Sequence, residues 1–239
     1  MADGDVVDVP VTGLLDKGYL AQRGHLIGNR SMGVAQPGNP PRALARGRDA
    51  TPELPSTSHI SIVDKSGMAV AMTSSIEDGF GSRLMVNGYL LNNQLTDFSF
   101  TSVDAVGLPV ANRVEPGKRP RSSMSPLLVF NKASGELEMS LGSPGGSAII
   151  NYVGKALLGT QDWGLDLQQA INLPNFGSRN GPTELEQGRT PDAVVQGLKA
   201  RGHEVLLNEQ TSGLQGVQRH AGGWLGAADP RREGVARGE

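Results

Sequence analysis

Between an apolar run, Leu137 to Leu141, and a helical pattern that opens at Ile149 stands Gly142-Ser143-Pro144-Gly145-Gly146-Ser147. These six residues oblige a strand to hand over directly to a helix. Their glycines let backbone N–H groups at the helix start approach whatever lies outside the turn. A second stretch, Ser56-Thr57-Ser58-His59-Ile60-Ser61, sets a hydroxyl at the head of a predicted strand, just after a Pro-rich loop. A hydroxyl nucleophile and a cluster of backbone N–H donors are the minimum equipment for acyl transfer. Each piece alone has a plainer alternative. Thr57 also suits a strand start on a surface loop, and the glycines also suit a helix cap or a phosphate-binding turn.

The punctuation around these stretches predicts hairpins and short helices. A strand over His59–Val63, a turn at Asp64-Lys65-Ser66-Gly67 and a return strand over Met68–Met72 make one hairpin. Leu127–Phe130, the turn Asn131–Gly135 and Leu137–Leu141 make another. The helix after the glycines carries Ile149, Ile150, Val153, Ala156 and Leu157 on one predicted face. A shorter helix follows Asp166 as N-cap and stops at Asn172 before Pro174. A third takes Thr190 as N-cap and Pro191 as its first residue, turns Val194, Val195 and Leu198 inward, and ends at Gly202. Strands over His203–Leu207, Gly213–Gln218 and Trp224–Gly226 complete the chain, the last two flanking a turn at Gly222-Gly223. Strands, then helices, then strands predict an α+β sandwich rather than alternating βα units.

The first 56 residues differ in character. Val11 to Leu26 shows a loose helical pattern weakened by Gly13, Gly18 and Gly24. Gly33 to Pro55 is dense in Gly, Pro and Arg and reads as a linker, either an ordinary disordered one or one kept flexible so that it can be cut and leave.

Composition narrows the chemistry. The chain has no cysteine, which excludes disulfides, thiolate metal sites and a cysteine nucleophile. A net charge of -2 and 4% aromatic residues give no sign of a nucleic-acid or membrane-surface partner. No apolar run is long enough for a membrane span, and Met1-Ala2-Asp3-Gly4-Asp5 lacks a signal-peptide pattern. No acidic or histidine cluster has metal-ligand spacing, so neither metal nor cofactor is expected, and the compartment is left open.

Five blocks, in order, carry a resemblance. They are Thr57-Ser58-His59-Ile60-Ser61-Ile62-Val63-Asp64, Gly88 to Ser99 with Leu91-Asn92-Asn93-Gln94 at its centre, Pro116 to Met124, Leu141 to Ser147, and Gly226-Ala227-Ala228-Asp229-Pro230-Arg231-Arg232-Glu233-Gly234. Together they resemble the gamma-glutamyltranspeptidases (glutathione hydrolases), which are N-terminal-nucleophile hydrolases. The resemblance implies an αββα sandwich, incomplete here. Residues 57–239 would be the small, catalytic subunit. Residues 1–56 would be the tail of the large subunit and a processing linker.

The resemblance also assigns roles. Thr57 would be the nucleophile, with its own α-amino group as base once the Ser56–Thr57 bond is self-cleaved. Ser75 would hydrogen-bond to that nucleophile, though a serine in Thr73-Ser74-Ser75 also suits plain solvent exposure. Gly145 and Gly146 would form the oxyanion hole. Gln94 and Asp97 would hold the α-amino group of a gamma-glutamyl substrate, and Ser122 and Ser123 would donate to its α-carboxylate. Lys118, Arg119 and Arg121 suit a solvated basic loop as well as a site, and His59 reads as structural.

Two departures follow. Glu77 stands where the family usually has an asparagine at the α-amino group. That admits an acylase or amidohydrolase with another acyl group. The family's main α-carboxylate arginine belongs to the large subunit. A partner large subunit is therefore implied, together with an open sheet edge or apolar face on this chain. The remaining alternative is an inactive truncated product or half-protein.

Overall fold

A computed structural model describes residues 2–49, 51 and 57–238. In chain order its elements are α1 (Val11–Leu14), α2 (Lys17–Gly24), β1 (Thr57–Val63), β2 (Ala69–Ser75), β3 (Met85–Val86), β4 (Tyr89–Leu90), β5 (Leu127–Phe130), β6 (Leu137–Gly142), α3 (Ile149–Gln161), α4 (Leu167–Asn172), β7 (Phe176–Gly177), β8 (Thr183–Glu186), α5 (Asp192–Ala200), β9 (Val205–Asn208), β10 (Gln215–His220) and β11 (Gly223–Ala228). Single 3-10 turns lie at Gln94–Asp97 and Gly146–Ala148.

The main sheet is antiparallel, in the order β11-β10-β6-β5. One face packs on α3 and α4, and the other on the β1–β2 hairpin. Strand β6 is buried on both sides. Met139 and Leu141 join Ile149, Tyr152, Val153 and Ala156 of α3 and Leu167 and Ile171 of α4 in the core. On the opposite side the Ser140 hydroxyl lies 2.9 Å from Ser61 Oγ and 3.1 Å from the Val70 carbonyl oxygen. The result is an α+β arrangement with two stacked β layers and helices on one outer side.

Local chemistry accounts for most of the elements. Asp64 Oδ1 accepts from Ser66 N at 2.8 Å and Met68 N at 2.9 Å, which closes the β1–β2 turn. The N-terminus of α4 is a capping box, in which Asp166 accepts from Gln169 N while Gln169 Oε1 accepts from Asp166 N.

Four expectations are corrected by tertiary packing. The predicted helical stretch Val11–Leu26 breaks into α1 and α2, because Asp16 caps a new helix at Tyr19 N. Ile150 is 49% exposed, and Tyr152 fills the core in its place. The N-cap of α5 is Pro191, not Thr190, whose hydroxyl instead donates to the Glu186 carbonyl at 2.9 Å, and Val194 is exposed. Finally, β8 and β9 pair in parallel across α5, so one βαβ unit sits beside the main sheet.

The β1–β2 hairpin is inverted relative to a free-standing one. His59, Ser61 and Thr73 face the main sheet. Ile60, Ile62, Val70 and Met72 face outward at 43–52% exposure, paired across the strands as Ile60↔Met72 and Ile62↔Val70. Period-2 alternation makes these faces obligatory opposites. A contiguous apolar face left outward on a hairpin, while His59, Ser61 and Thr73 are turned inward, marks a surface for association. This is the open face that the resemblance leads one to expect. The chain spanning residues 1–239 alone should therefore associate, giving a light-scattering mass above the monomer's. Ile62→Lys with Val70→Glu should restore a monomer. A monodisperse monomer from the unsubstituted chain would contradict this.

A candidate acyl-transfer cleft

The hairpin register puts Thr57, the first residue of β1, directly opposite Ser75, the last of β2. Two hydroxyl residues thus share the inward side of one hairpin end. Beyond Ser75 the chain turns sharply. Ser75 Oγ accepts from Glu77 N at 2.9 Å, and Glu77 adopts φ of 76°, a left-handed conformation uncommon for a side chain of this size. The Glu77 carboxylate is buried and accepts from Asn93 Nδ2. Asn93 closes the loop from both ends, since its Oδ1 accepts from Asp78 N at 3.0 Å and its backbone N donates to the Ile76 carbonyl at 3.2 Å. Burial, with the charges of Asp97 and Asp78, raises the Glu77 pKa, and the hydrogen bonds from Thr96 and Asn93 offset this only in part.

The 3-10 turn at Gln94–Asp97 brings its first and last side chains together, and Gln94 Nε2 donates to Asp97 Oδ2 at 2.5 Å. The Asp97 carbonyl is held by Asn112 Nδ2 at 2.7 Å. Across the cleft, Ser122 Oγ accepts from Met124 N at 3.1 Å, and the largely buried Ser123 has its carbonyl held by the Ser125 hydroxyl at 3.0 Å. At the floor, Gly146 opens the turn that leads into α3 with φ of 56°. Gly145 precedes it at φ of 139°, where a Cβ would stand 2.6 Å from Tyr152 Cε2. The two glycines therefore answer different demands, Gly145 close packing against a ring and Gly146 backbone exposed to the cleft.

One cleft gathers these groups. Thr57, Ser75, Glu77, Gln94, Asp97, Ser122, Ser123 and Gly146 all line it, with Met124 and Ile149 as its apolar wall. Gly145 sits one residue behind the lining. Arg121 lines the cleft too. The sequence reading grouped it with Lys118 and Arg119, and the three separate completely. Lys118 is internal, donating to the Ala111 carbonyl at 2.6 Å and to Glu115 at 2.9 Å. Arg119 is on the surface, bound to Asp3 and Asp5. Arg121 is only 11% exposed and pairs with Asp49 at 3.0 Å. The one available signal was its place immediately before Ser122 and Ser123. Asn93, the staple of the Glu77 loop, was equally legible as part of a block but had no stated role.

His59 fits its structural reading. Its Nδ1 lies 2.8 Å from Thr73 Oγ1 and its Nε2 3.0 Å from Ser61 Oγ. Burial pushes its pKa down to about 4, so it is neutral near pH 7. The ring also fills the space beside Gly142, where a Cβ would come within 2.2 Å of it. Ser56 lies outside the described residues. Among the described residues no group of histidine and acidic side chains could hold a metal, and no helix is long and apolar enough to cross a membrane.

The sequence profile of the family described as gamma-glutamyltranspeptidase matches residues 1–239. The glutathione hydrolase proenzyme of Escherichia coli (strain K12) is 37% identical over 240 aligned positions, spanning 97% of this chain and 40% of that protein. That of Pseudomonas sp. (strain A14) is 34% identical, spanning 100% of this chain and 43% of its own length. A gamma-glutamyltranspeptidase structure from Pseudomonas nitroreducens complexed with L-DON is 32% identical at a TM-score of 0.67, covering 76% of this chain and 98% of that one. The Helicobacter pylori gamma-glutamyltranspeptidase T380A mutant is 30% identical at 0.65, covering 73% and 99%. The chain thus spans about two-fifths of the length of these curated relatives.

Proposed function

This chain belongs to the gamma-glutamyltranspeptidase family, and from that premise we propose that it supplies the nucleophile-bearing part of an enzyme that hydrolyses or transfers gamma-glutamyl groups from glutathione-like amides. Cleavage of the bond before Thr57 would free its α-amino group. As the Thr57 oxygen attacks the gamma-carbonyl, that amine takes the hydroxyl proton. The tetrahedral oxyanion would rest on N–H groups at Gly145 and Gly146. The proton then passes to the departing amine as the C–N bond breaks, leaving a Thr57 ester. Water or the amine of an acceptor resolves the ester. Ser75 would orient the nucleophile. Gln94 and Asp97 would hold the α-ammonium, with Glu77 beside them at the family's asparagine position, and Ser122 and Ser123 would hold the α-carboxylate. A large subunit would supply the rest of the enzyme and cover the outer face of the β1–β2 hairpin.

The observation that carries this reading is the cleft itself, since five separate segments converge there on the groups an amino-acid amide requires. One feature favours a second reading. Glu77 and Asp97 set two carboxylates at the ammonium end, which suits an amide hydrolase with a different acyl group. The enzyme completed by its large subunit is tested with a gamma-glutamyl anilide. Turnover is expected, and Glu77→Asn should raise kcat/KM by roughly tenfold, from relief of about 1–2 kcal/mol of carboxylate repulsion. A fall on Glu77→Asn would make the carboxylate a positive specificity element and favour the second reading.

A further inference from the structure

We propose that Arg121 is a carboxylate-binding residue of the cleft and that Asp49 occupies it while the chain is uncut. The proposal rests on the cleavage reading above and adds a ligand that the resemblance does not assign.

The geometry is specific. Arg121 lines the same cleft as Thr57, Ser122 and Ser123. Its Nη1 donates to Asp49 Oδ2 at 3.0 Å and its Nη2 to the Thr51 carbonyl at 2.7 Å. Asp49 and Thr51 belong to the segment just upstream of the predicted cut. A guanidinium held against a carboxylate and a backbone oxygen is already presenting a fork that an incoming carboxylate can take over. The site is built around this pair. Asn112, 1% exposed, donates to Asp49 Oδ2 at 3.1 Å and to the Asp97 carbonyl at 2.7 Å, and its Oδ1 accepts from Arg121 N at 2.9 Å. One buried amide thus ties the upstream carboxylate to both the ammonium end and the carboxylate end of the cleft. Upstream, Gly47 N donates to the Pro109 carbonyl at 2.9 Å, and downstream Phe100 N donates to Thr51 Oγ1 at 3.3 Å, so the Asp49 segment is docked rather than merely adjacent.

Burial of Asp49 opposes its ionisation. The hydrogen bonds from Thr51 and Asn112 and the charge of Arg121 outweigh it and keep the carboxylate below its ordinary range. The segment therefore sets a stable anion against Arg121, the guanidinium that a substrate anion in the cleft would use. Cutting at Thr57 removes the covalent tether on the C-terminal side of the Asp49 segment, and a substrate carboxylate then has only its non-covalent contacts to displace. That carboxylate is either the donor's α-carboxylate or the acceptor's.

Two measurements test this. In uncut chains, glutamate is titrated calorimetrically into Thr57→Ala and into Thr57→Ala/Asp49→Ala. The double variant should bind at least tenfold more tightly. Equal affinity, or binding to neither, overturns the masking by Asp49. In the cut enzyme with its large subunit, Arg121→Met and Arg121→Lys are compared with the unsubstituted form. Donors are a gamma-glutamyl anilide and the 4-aminobutanoyl anilide that lacks the carboxylate, and acceptors are glycylglycine and its amide. If Arg121 holds the donor, Arg121→Met raises KM at least tenfold for the first anilide only. If it holds the acceptor, KM rises for glycylglycine only. In either case Arg121→Lys recovers part of the loss. An equal loss with and without the carboxylate, or no loss, overturns the proposal. If the unsubstituted enzyme neither cuts nor turns over, the acyl-transfer reading falls, while the glutamate titration still judges Arg121 and Asp49.

Discussion

Thr57→Ala is expected to leave the chain uncut and to lower gamma-glutamyl anilide turnover by about four orders of magnitude or more. The size of the effect follows from one oxygen having two uses. In the proposed mechanism it attacks the preceding carbonyl to release the new N-terminus and then forms the acyl-enzyme, two roles that no other group in the cleft would share. Neighbouring hydroxyls do not substitute. Ser75 lies across the hairpin with its Oγ already accepting from Glu77 N, and neither it nor Ser58 would acquire a free α-amine on cleavage. Thr57→Ser keeps the oxygen and should keep both cutting and measurable turnover. N-terminal sequencing of the cut small chain should read Thr-Ser-His-Ile-Ser. A single uncut species that is unchanged by Thr57→Ala would sink the mechanism.

Arg231→Ala should cost about 3–5 kcal/mol of stability, on the order of 10 °C in Tm. Arg231 is 6% exposed and meets Glu186 through two bonds of 2.6 Å, from Nε and Nη2. Its Nη1 reaches Asp229 Oδ1 and the Ile171 carbonyl, each at 3.1 Å, and its Nη2 reaches the Leu173 carbonyl at 2.9 Å. The Asp229 side chain is wholly buried and also accepts from Ser212 Oγ at 2.5 Å and Leu214 N at 3.1 Å. One guanidinium thus joins the end of α4, β8 and the segment after β11. Removing it leaves Asp229 with hydrogen bonds but, among the described residues, no facing cation, and Glu186 with only the longer 3.4 Å ion pair to the half-exposed Arg189. Lys155 cannot compensate, because its ammonium is spent on the same Ile171 and Leu173 carbonyls, and burial pulls its pKa down to about 8. Thermal unfolding by circular dichroism measures the loss. Arg231→Met with Glu186→Leu should lose less than Arg231→Ala, since both charges leave together. A loss below about 1 kcal/mol would mean that the network is solvated in solution.

What was legible in the sequence was local. The Asp64–Gly67 turn, the Asn131–Gly135 hairpin and the Asp166 cap each depend on side chains and backbone groups within four residues of one another, and all three form as read. The order of the five blocks was also legible, and with it the family, because residue identity at fixed spacing survives without any knowledge of packing. Alternation revealed that β1 has two faces. It could not say that the face with His59 and Ser61 points inward, because that depends on the Ser140 hydroxyl arriving from 79 residues away. The same limit hid Arg121, which differs from Arg119 only in what the fold sets beside it: Asp49, 72 residues upstream, against the buried Asp3 and the exposed Asp5. It hid the Arg231–Glu186 pair across 45 residues, and it exchanged Ile150 for Tyr152 in the core. Burial and charge pairing are settled by neighbours distant along the chain, and only the tertiary structure brings those neighbours together.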